Sequence, residues 1–386
     1  MKNQTINLAL IFIVLYFGLG AFFPFNSIYL QDTLHYTGQQ IGLFYSLAAL
    51  IVVISVPIFG VLADRLRSPK VIYIICASFA IVFLIPYSLV KPFYIITTLY
   101  ILINGIRSAL VPLLDTIALD YCAQTKVNFG ILRSLGSFSF ICASLITGFL
   151  LEKFSDFTSL FLYIHMISLS LSIYFSFFQK NTYMNSEVSN NFKEDFMQLL
   201  KNRQFLLAIT IMGLSYGIIQ VSQAYLSLSI TDLGGGADII GISFFFLVIP
   251  EVIFFSLVIK LSKKINHIYL MLVGTMYLLL RWIVLIFTNS IPILLVASTA
   301  HGIVMAFTII VGFDLIKKIV KPHLISSAMS LYTALANVFF AIISYSAGLL
   351  MDAGSIKNTY FLYSFTTILI IVGIITYVIS YSRRNE

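Results

Sequence analysis

Residues 8–30 read LALIFIVLYFGLGAFFPFNSIYL, a run without a single charged side chain. A helix needs roughly 20 such residues to cross the hydrocarbon core of a membrane. Eleven further apolar runs of similar length follow, and the chain of 386 residues is 60% hydrophobic and 10% charged. Because lipid offers the backbone no hydrogen-bond partners, each run is predicted to be a transmembrane α-helix. A β-barrel would instead show segments of about ten residues with alternating polarity.

The twelve predicted helices form two sets of six, so the expected fold is an all-α integral membrane protein with two six-helix halves. The first set covers residues 8–30, 41–63, 71–90, 94–118, 129–151 and 157–178; the second covers 205–230, 239–260, 268–287, 292–316, 324–350 and 358–380. We divide the chain into an N-terminal half (1–179), a hydrophilic cytoplasmic linker (180–203) and a C-terminal half (204–386). Two such halves with a midplane site are an architecture of secondary transporters.

Lysine and arginine are distributed unevenly between the two sides of this helix arrangement. If the N-terminus is cytoplasmic, the outer loops carry Lys91, Lys153 and Lys357. The inner segments then carry seventeen basic residues: Lys2, Arg65, Arg67, Lys70, Lys126, Lys180, Lys193, Lys201, Arg203, Lys260, Lys263, Lys264, Lys317, Lys318, Lys321, Arg383 and Arg384. Because basic loops stay on the cytoplasmic side, both termini are predicted to be cytoplasmic and the protein to lie in the cell membrane. The net charge of +8 is thus assigned to topology rather than to nucleic-acid binding.

The loop between the second and third predicted helices reads GVLADRLRSPK over residues 60–70. It resembles the Gly-x-x-x-Asp-Arg/Lys-x-Gly-Arg-Lys loop of the major facilitator superfamily, a family of secondary transporters. The resemblance implies a gating loop that contains Gly60, Asp64 and Arg65, although Arg67 stands where the family usually has glycine. An ordinary basic turn would give a similar pattern, but the twelve spans and the central linker favour the transporter loop.

Six ionisable side chains lie inside predicted helices, where a charge costs roughly 2.5–3.5 kcal/mol on insertion scales. They are Arg107 and Asp115 on the fourth helix, Arg133 on the fifth, Glu251 on the eighth, Arg281 on the ninth and His301 on the tenth. One interpretation is that Asp115 with Arg133 forms a buried ion pair that holds helices together. Glu251 with Arg281 would form a second. The interpretation we favour is a hydrated pathway, because buried ion pairs give doubtful net stability.

Short motifs around these residues carry a narrower resemblance. They are Phe22-Phe23-Pro24-Phe25, Val111-Pro112-Leu113-Leu114-Asp115, Phe129-Gly130-Ile131-Leu132-Arg133-Ser134-Leu135-Gly136 and Pro250-Glu251-Val252-Ile253. Together they resemble the lactose permease branch of the superfamily, with its oligosaccharide:proton symporters and phenylpropionate-type permeases. The resemblance runs along nearly the whole chain. It implies substrate-binding and proton-coupling roles for a set of residues, namely Asp115, Arg133, Glu251, Arg281 and His301, with Gln223 at a comparable polar position.

The chain departs from that branch at several polar positions. Val304 stands where lactose permease carries an acid three residues after its helix 10 histidine. Ile219 and Ser222 stand near the positions of its two helix 7 aspartates, and Phe140 replaces the tryptophan that stacks on sugar. Lactose and the proton route of that permease therefore do not transfer to this chain. The expected proton carrier is therefore Asp115 or Glu251.

These patterns predict secondary active transport of a small polar or amphipathic solute, by proton symport with alternating access. Arg107 is a surplus cation that either receives a carboxylate of the solute, snorkels, or pairs with Asp115. A sugar, a nucleoside and an aromatic acid all stay open as substrates. Proton-coupled efflux of a drug or metabolite is the alternative within transport.

No catalytic residue, metal site or cofactor is predicted, and the proton is the expected coupling ion. Cys76, Cys122 and Cys142 lack a metal-like spacing. The chain has no Gly-Lys-Ser/Thr phosphate loop, so direct ATP drive within it is not expected, and no His-Glu-x-x-His pattern, which disfavours a membrane enzyme. A sensor is disfavoured because the longest loop, about 24 residues, is too short for a sizeable soluble output domain. The expected partners are a small-molecule solute, protons and membrane lipids, without nucleic acid. The protein is expected to function as a monomer.

Overall fold

The computed structural model describes residues 2–125, 127–181, 192–261, 265 and 267–381. These parts contain fifteen α-helices and no β-strand. The helices are α1 (Lys2–Ile28), α2 (Gly38–Arg65), α3 (Pro69–Leu89), α4 (Phe93–Arg107), α5 (Leu110–Thr125), α6 (Phe129–Lys153), α7 (Leu160–Phe178), α8 (Phe192–Lys201), α9 (Arg203–Ala224), α10 (Leu226–Asp232), α11 (Ala237–Leu261), α12 (His267–Phe287), α13 (Ile291–Ile319), α14 (Ile325–Asp352) and α15 (Lys357–Tyr381). Among the described residues, twelve helical segments are long and apolar enough to cross a membrane. The predicted all-α fold with twelve transmembrane helices is confirmed.

The helices pack into two compact units. The first unit holds α1–α7 together with residues 234–245, so the first turns of α11 belong to it. The second unit holds α8–α10, the rest of α11 and α12–α15. The predicted linker at 180–203 contains the short helix α8. Its residues 182–191, like the predicted cytoplasmic residues Lys126, Lys263, Lys264, Arg383 and Arg384, lie outside the described part of the chain.

Within each unit one helix is buried more fully than its neighbours. α1 packs against α6 and α7 in the first unit, and α9 packs against α13, α14 and α15 in the second. The most apolar stretch of α1 and that of α9 are each 67% buried inside the protein, against 17% for α2. Side chains that pack against α1 or α9 are therefore shielded from lipid.

The fourth span is interrupted next to an intramembrane charge. α4 ends at Arg107 and α5 begins at Leu110, whereas the sequence predicted one helix over 94–118. Pro112 explains the interruption, because its ring lacks an N–H and clashes with the carbonyl four residues earlier, that of Ser108. The guanidinium is therefore carried by the last residue of a helix, where the helix dipole favours a cation. The seventh span is likewise split, into α9 and α10, at Tyr225.

The loop after α2 reverses the chain through a left-handed residue. Arg67 has φ of +47°. The amides of Arg67 and Ser68 donate to the carbonyls of Asp64 and Ala63, at 3.1 and 3.2 Å, which is the Schellman arrangement of a helix end. Glycine is usual at the left-handed position because a Cβ there costs roughly 1–2 kcal/mol. The left-handed backbone therefore explains why the loops of the major facilitator superfamily usually have glycine where this chain has Arg67.

Two glycines let helix backbones touch within the units. A Cβ on Gly20 of α1 would collide with the backbone of Phe140 in α6 and lie 2.8 Å from its Cα. A Cβ on Gly302 of α13 would collide with the carbonyl of Leu247 in α11 and lie 2.5 Å from the amide nitrogen of Glu251. Such close approach over small residues is a main source of helix association in lipid.

The left-handed turn predicts that Arg67→Gly stabilises the protein. Glycine relieves the Cβ strain, so the melting temperature of the purified protein should exceed that of Arg67→Ala by about 1–2 °C for roughly 1 kcal/mol. Arg67→Ala is the matched control, since it removes the same charge but keeps the Cβ. Equal melting temperatures for the two variants would contradict the strain argument.

The contact at Gly302 predicts that Gly302→Ala destabilises the second unit by about 1–3 kcal/mol, because two backbones must separate. Gly60→Ala in α2 is the control, since a Cβ on Gly60 meets nothing within 4 Å. Thermal unfolding in detergent should separate the two variants. A melting temperature of Gly302→Ala at or above that of Gly60→Ala would count against a required close approach.

Candidate functional site

Asp115 of α5 and Arg133 of α6 form an ion pair in the first unit. Nε of Arg133 lies 3.8 Å from Oδ1 of Asp115, and the side chains are 37% and 29% exposed, respectively. At this distance the groups attract each other without a hydrogen bond, and Oδ1 of Asp115 has no hydrogen-bond donor. The guanidinium of Arg133 also lies 4.5 Å from the centre of the Tyr16 ring of α1. The pair therefore keeps an unused acceptor beside a cation.

The tight connection between α5 and α6 makes the two helices neighbours. α5 ends at Thr125 and α6 begins at Phe129. Asn128 caps α6 by accepting a hydrogen bond from the amide of Gly130 at 2.8 Å. The structure thus brings together the two residues that the sequence placed on adjoining antiparallel helices.

Arg107, the last residue of α4, is buried and forms no ion pair within the described residues. It is 4% exposed, its Nη2 donates to Oδ1 of Asn104 at 3.1 Å, and its Nη1 has no acceptor. Its Cζ lies 4.6 Å from the centre of the Phe22 ring and 4.5 Å from that of Phe23. Arg107 is therefore neither paired with Asp115 nor extended into water.

His165 of α7 lies beside this arginine, and the sequence interpretation did not single it out. The side chain is 0% exposed, and its ring centre lies 5.1 Å from that of Phe22. The charge of Arg107 reaches it electrostatically. The sequence does contain a signal for this residue. A histidine in the middle of an apolar span is costly there, and it is therefore a candidate for a functional role.

Arg281 of α12 lies on aromatic rings in the second unit. It is 4% exposed, and its Cζ lies 4.5 Å from the centre of the Trp282 ring. Tyr363 and Tyr360 of α15 pack on the same indole, with ring centres 5.0 and 6.3 Å away. Nε and Nη1 of Arg281 have no acceptor, and His301 of α13, 2% exposed, lies within electrostatic range. Each unit thus holds a buried guanidinium supported by aromatic rings.

Glu251 also belongs to the second unit. It follows Pro250 in α11, is half-buried, and packs by its backbone against Gly302 of α13. Its charge reaches Tyr216 of α9. The described residues do not form the pair of Glu251 with Arg281 that one sequence interpretation contained, since the electrostatic neighbours of Arg281 are tyrosines and His301.

The remaining predicted site residues lie at helix ends or on an open helix face. Gln223 is half-buried one residue before α9 ends. Gly60 lies inside α2, and α2 ends with the half-buried Asp64 and the exposed Arg65. Beyond this loop, Nζ of Lys70 donates to the carbonyls of Phe177 and Gln179 at 3.1 and 2.7 Å, which ties the start of α3 to the end of α7.

Residues 213–217 read GLSYG and match the Gly-x-Ser-x-Gly pattern of serine hydrolases. In those enzymes the serine stands on a strand-to-helix turn, but here the pattern lies in the middle of α9. Ser215 is 2% exposed and donates to the carbonyl of Ile211 at 2.8 Å. Gly213 and Gly217 pack against α14 near Phe339. The pattern serves helix packing rather than nucleophilic catalysis.

Comparison with known proteins identifies transporters. The MFS_1 like family matches residues 5–362. The maltose permease of Geobacillus stearothermophilus is 26% identical over 378 residues, which cover 97% of this chain and 94% of the permease. The nucleoside transporter NupG gives a TM-score of 0.85 with 16% identity, over 98% of this chain and 100% of NupG. A D-xylose-proton symporter gives 0.69 with 16% identity, over 96% of each chain.

At 16% identity the structural likeness shows the fold alone, and it is the twelve-helix transporter fold expected from the sequence. The match of the family over residues 5–362 shows membership directly. The chain belongs to the MFS_1 like family, and it is a multi-pass membrane transporter rather than an enzyme.

Proposed function

We propose that this protein imports a small hydroxylated solute, a sugar or a nucleoside, together with a proton. Transport proceeds by alternating access in the cell membrane, with both termini in the cytoplasm. The observation that carries the proposal is the partly exposed pair of Asp115 and Arg133, in which one carboxylate oxygen has no donor.

An ion pair of this geometry offers a solute both a hydrogen-bond acceptor and a hydrogen-bond donor. The carboxylate of Asp115 accepts from a hydroxyl, and the guanidinium of Arg133 donates to an oxygen. Oδ1 of Asp115 is buried in this conformation, so a solute that reaches both groups when alternating access opens the site would satisfy the unused oxygen. Hydrogen bonds to charged groups contribute about 1.5–3 kcal/mol each, so two or three of them contribute about 3–9 kcal/mol to the binding of the solute.

The relatives support this solute class by their names. One is named for maltose, one for nucleosides, and one for D-xylose and the proton. Sugars and nucleosides share a ring with several hydroxyl groups. A carboxylate beside a guanidinium recognises this feature, whatever the rest of the solute contains.

Asp115 and Glu251 are the proposed proton carriers. Both carboxyls belong to membrane spans and both are partly exposed. A dry surrounding favours the neutral form of a carboxyl, whereas water or a nearby cation favours the charged form. Alternating access would therefore load a proton on one side and release it on the other. A proton that moves through 100 mV releases about 2.3 kcal/mol, enough for roughly fifty-fold accumulation of a neutral solute.

Proton symport predicts that solute entry removes protons from the outside medium. Purified protein in liposomes should raise the external pH when maltose, D-xylose or uridine is added, for the solute that it carries. A protonophore should abolish the pH change while solute exchange continues. Uptake of a solute without proton movement would contradict symport, and loss of a preloaded solute on energisation would favour efflux.

The two acids predict a separation of uphill transport from exchange. At least one of Asp115→Asn and Glu251→Gln should lose proton-driven accumulation, falling from roughly fifty-fold to about onefold. Exchange of labelled for unlabelled solute at equal concentrations needs no net proton transfer and should persist in that variant.

Asp120→Asn is the matched control for Asp115→Asn, because it makes the same change five residues along α5. This variant should accumulate solute like the unaltered protein. If both test variants also accumulate solute normally, neither acid carries the obligatory proton.

A further inference from the structure

We propose that Arg107, together with Phe22 and Phe23, forms a subsite for a carboxylate group of the transported solute. This inference rests on the proposed transport function and narrows its substrate class to hydroxylated solutes that also carry a carboxylate, such as a sugar acid. Symport of one such anion with one proton carries no net charge, so its accumulation follows the pH gradient rather than the membrane potential. The subsite lies within the first unit and is distinct from the pair of Asp115 and Arg133.

The charge of Arg107 is incompletely satisfied by the protein. With 4% exposure it cannot rely on water, and its hydrogen-bond partners are neutral: the amide of Asn104 at 3.1 Å and the hydroxyl of Tyr100. Nη1 has no acceptor. The C-terminal end of α4 compensates part of the charge, because the helix dipole is negative there. A complete compensation needs an anion.

The aromatic rings cover two sides of the guanidinium. Phe22 and Phe23 lie 4.6 and 4.5 Å from Cζ of Arg107, and their planes are inclined at 82° to each other. The two rings therefore form a corner around the guanidinium rather than enclosing it. Phe22 is 0% exposed and is held by Phe161 and His165, whereas Phe23 is 42% exposed. Phe23 is therefore the side of the corner that the protein covers least.

The chemistry of the free donors selects a carboxylate. A guanidinium presents parallel N–H groups that match the two oxygens of a carboxylate. Nη2 is engaged by Asn104, and Nη1 is free to donate. The start of α5, three residues after Arg107, adds the positive end of a sixteen-residue helix. An aromatic ring on the solute could also pack on Phe23.

The test compares carboxylic acids with their primary amides, which have nearly the same shape but no charge. The probes are D-glucuronate and D-glucuronamide, titrated against the purified full-length protein. The acid should bind about tenfold or more tightly than its amide, as expected for a charged hydrogen bond. If the acid binds no more tightly than its amide, the inference is wrong.

Asn104→Asp is the sharpest variant, because it places a carboxylate beside Nη2 of Arg107 and supplies the missing anion from within. The acid-to-amide ratio of affinities should fall to about one. Asn337→Asp on α14, where the amide donates to the Thr333 carbonyl at 2.9 Å, makes the same change in the other unit and should leave the ratio unaltered. A ratio that is unchanged in Asn104→Asp overturns the subsite.

Arg107→Gln separates a binding role from a structural one. Loss of a charge without an ion-pair partner should not lower the melting temperature, while the preference for the acid should disappear. A lower melting temperature together with a retained acid preference would assign Arg107 to packing. Binding is measured without a proton gradient, so the two proposals are tested independently. A binding result that shows no acid preference would leave proton-coupled transport of neutral solutes intact. A transport result that shows no proton coupling would leave the acid-to-amide ratio intact.

Discussion

The hydrocarbon layer offers no partner to a polar group, and the rest of the structure depends on this constraint. It makes every spanning segment a helix, and it requires that each charge in a span be satisfied by protein, water or ligand. Arg107 and Arg281 meet part of this requirement with aromatic rings at 4.5–4.6 Å. A desolvated cation–π contact contributes about 2 kcal/mol, which is less than the roughly 2.5–3.5 kcal/mol that insertion of the charge costs. The rings reduce the deficit without removing it.

The same constraint explains the backbone features around these charges. In lipid, helices gain nothing by hiding apolar surface from each other, so close backbone contact over small residues such as Gly302 has to hold them together. Pro112 interrupts the fourth span and makes Arg107 the last residue of α4. This proline thus places the cation of Arg107 at the end of α4, where the helix carbonyls favour a positive charge. About one turn further on, α5 begins, and its first amides favour an anion.

The sequence predicts most of the fold and part of the candidate site. The twelve spans follow from hydropathy because each span meets lipid on its own, and Asp115 meets Arg133 because short loops make antiparallel neighbours. The lack of an ion pair between Glu251 and Arg281 among the described residues depends on how helices rotate against each other, which no periodicity encodes. The left-handed conformation of Arg67 has an indirect sign in the sequence, because Arg67 stands where the resembling loops usually have glycine. The roles of the site residues stay predictions.

Two arginines inside the spans of the first unit, Arg107 and Arg133, differ in burial and in the charge of their partners, and stability alone would pair them the other way round. Arg133, 37% exposed, can be hydrated, yet it has a carboxylate at 3.8 Å. Arg107, 4% exposed, cannot be hydrated, yet its hydrogen-bond partners, Asn104 and Tyr100, are both neutral. A fold shaped by stability alone would give the acid to the drier cation, because the cost of an uncompensated charge rises with burial. The arrangement is consistent with a protein whose drier cation is completed by a ligand during transport, while its wetter ion pair remains available for exchange with hydroxyl groups.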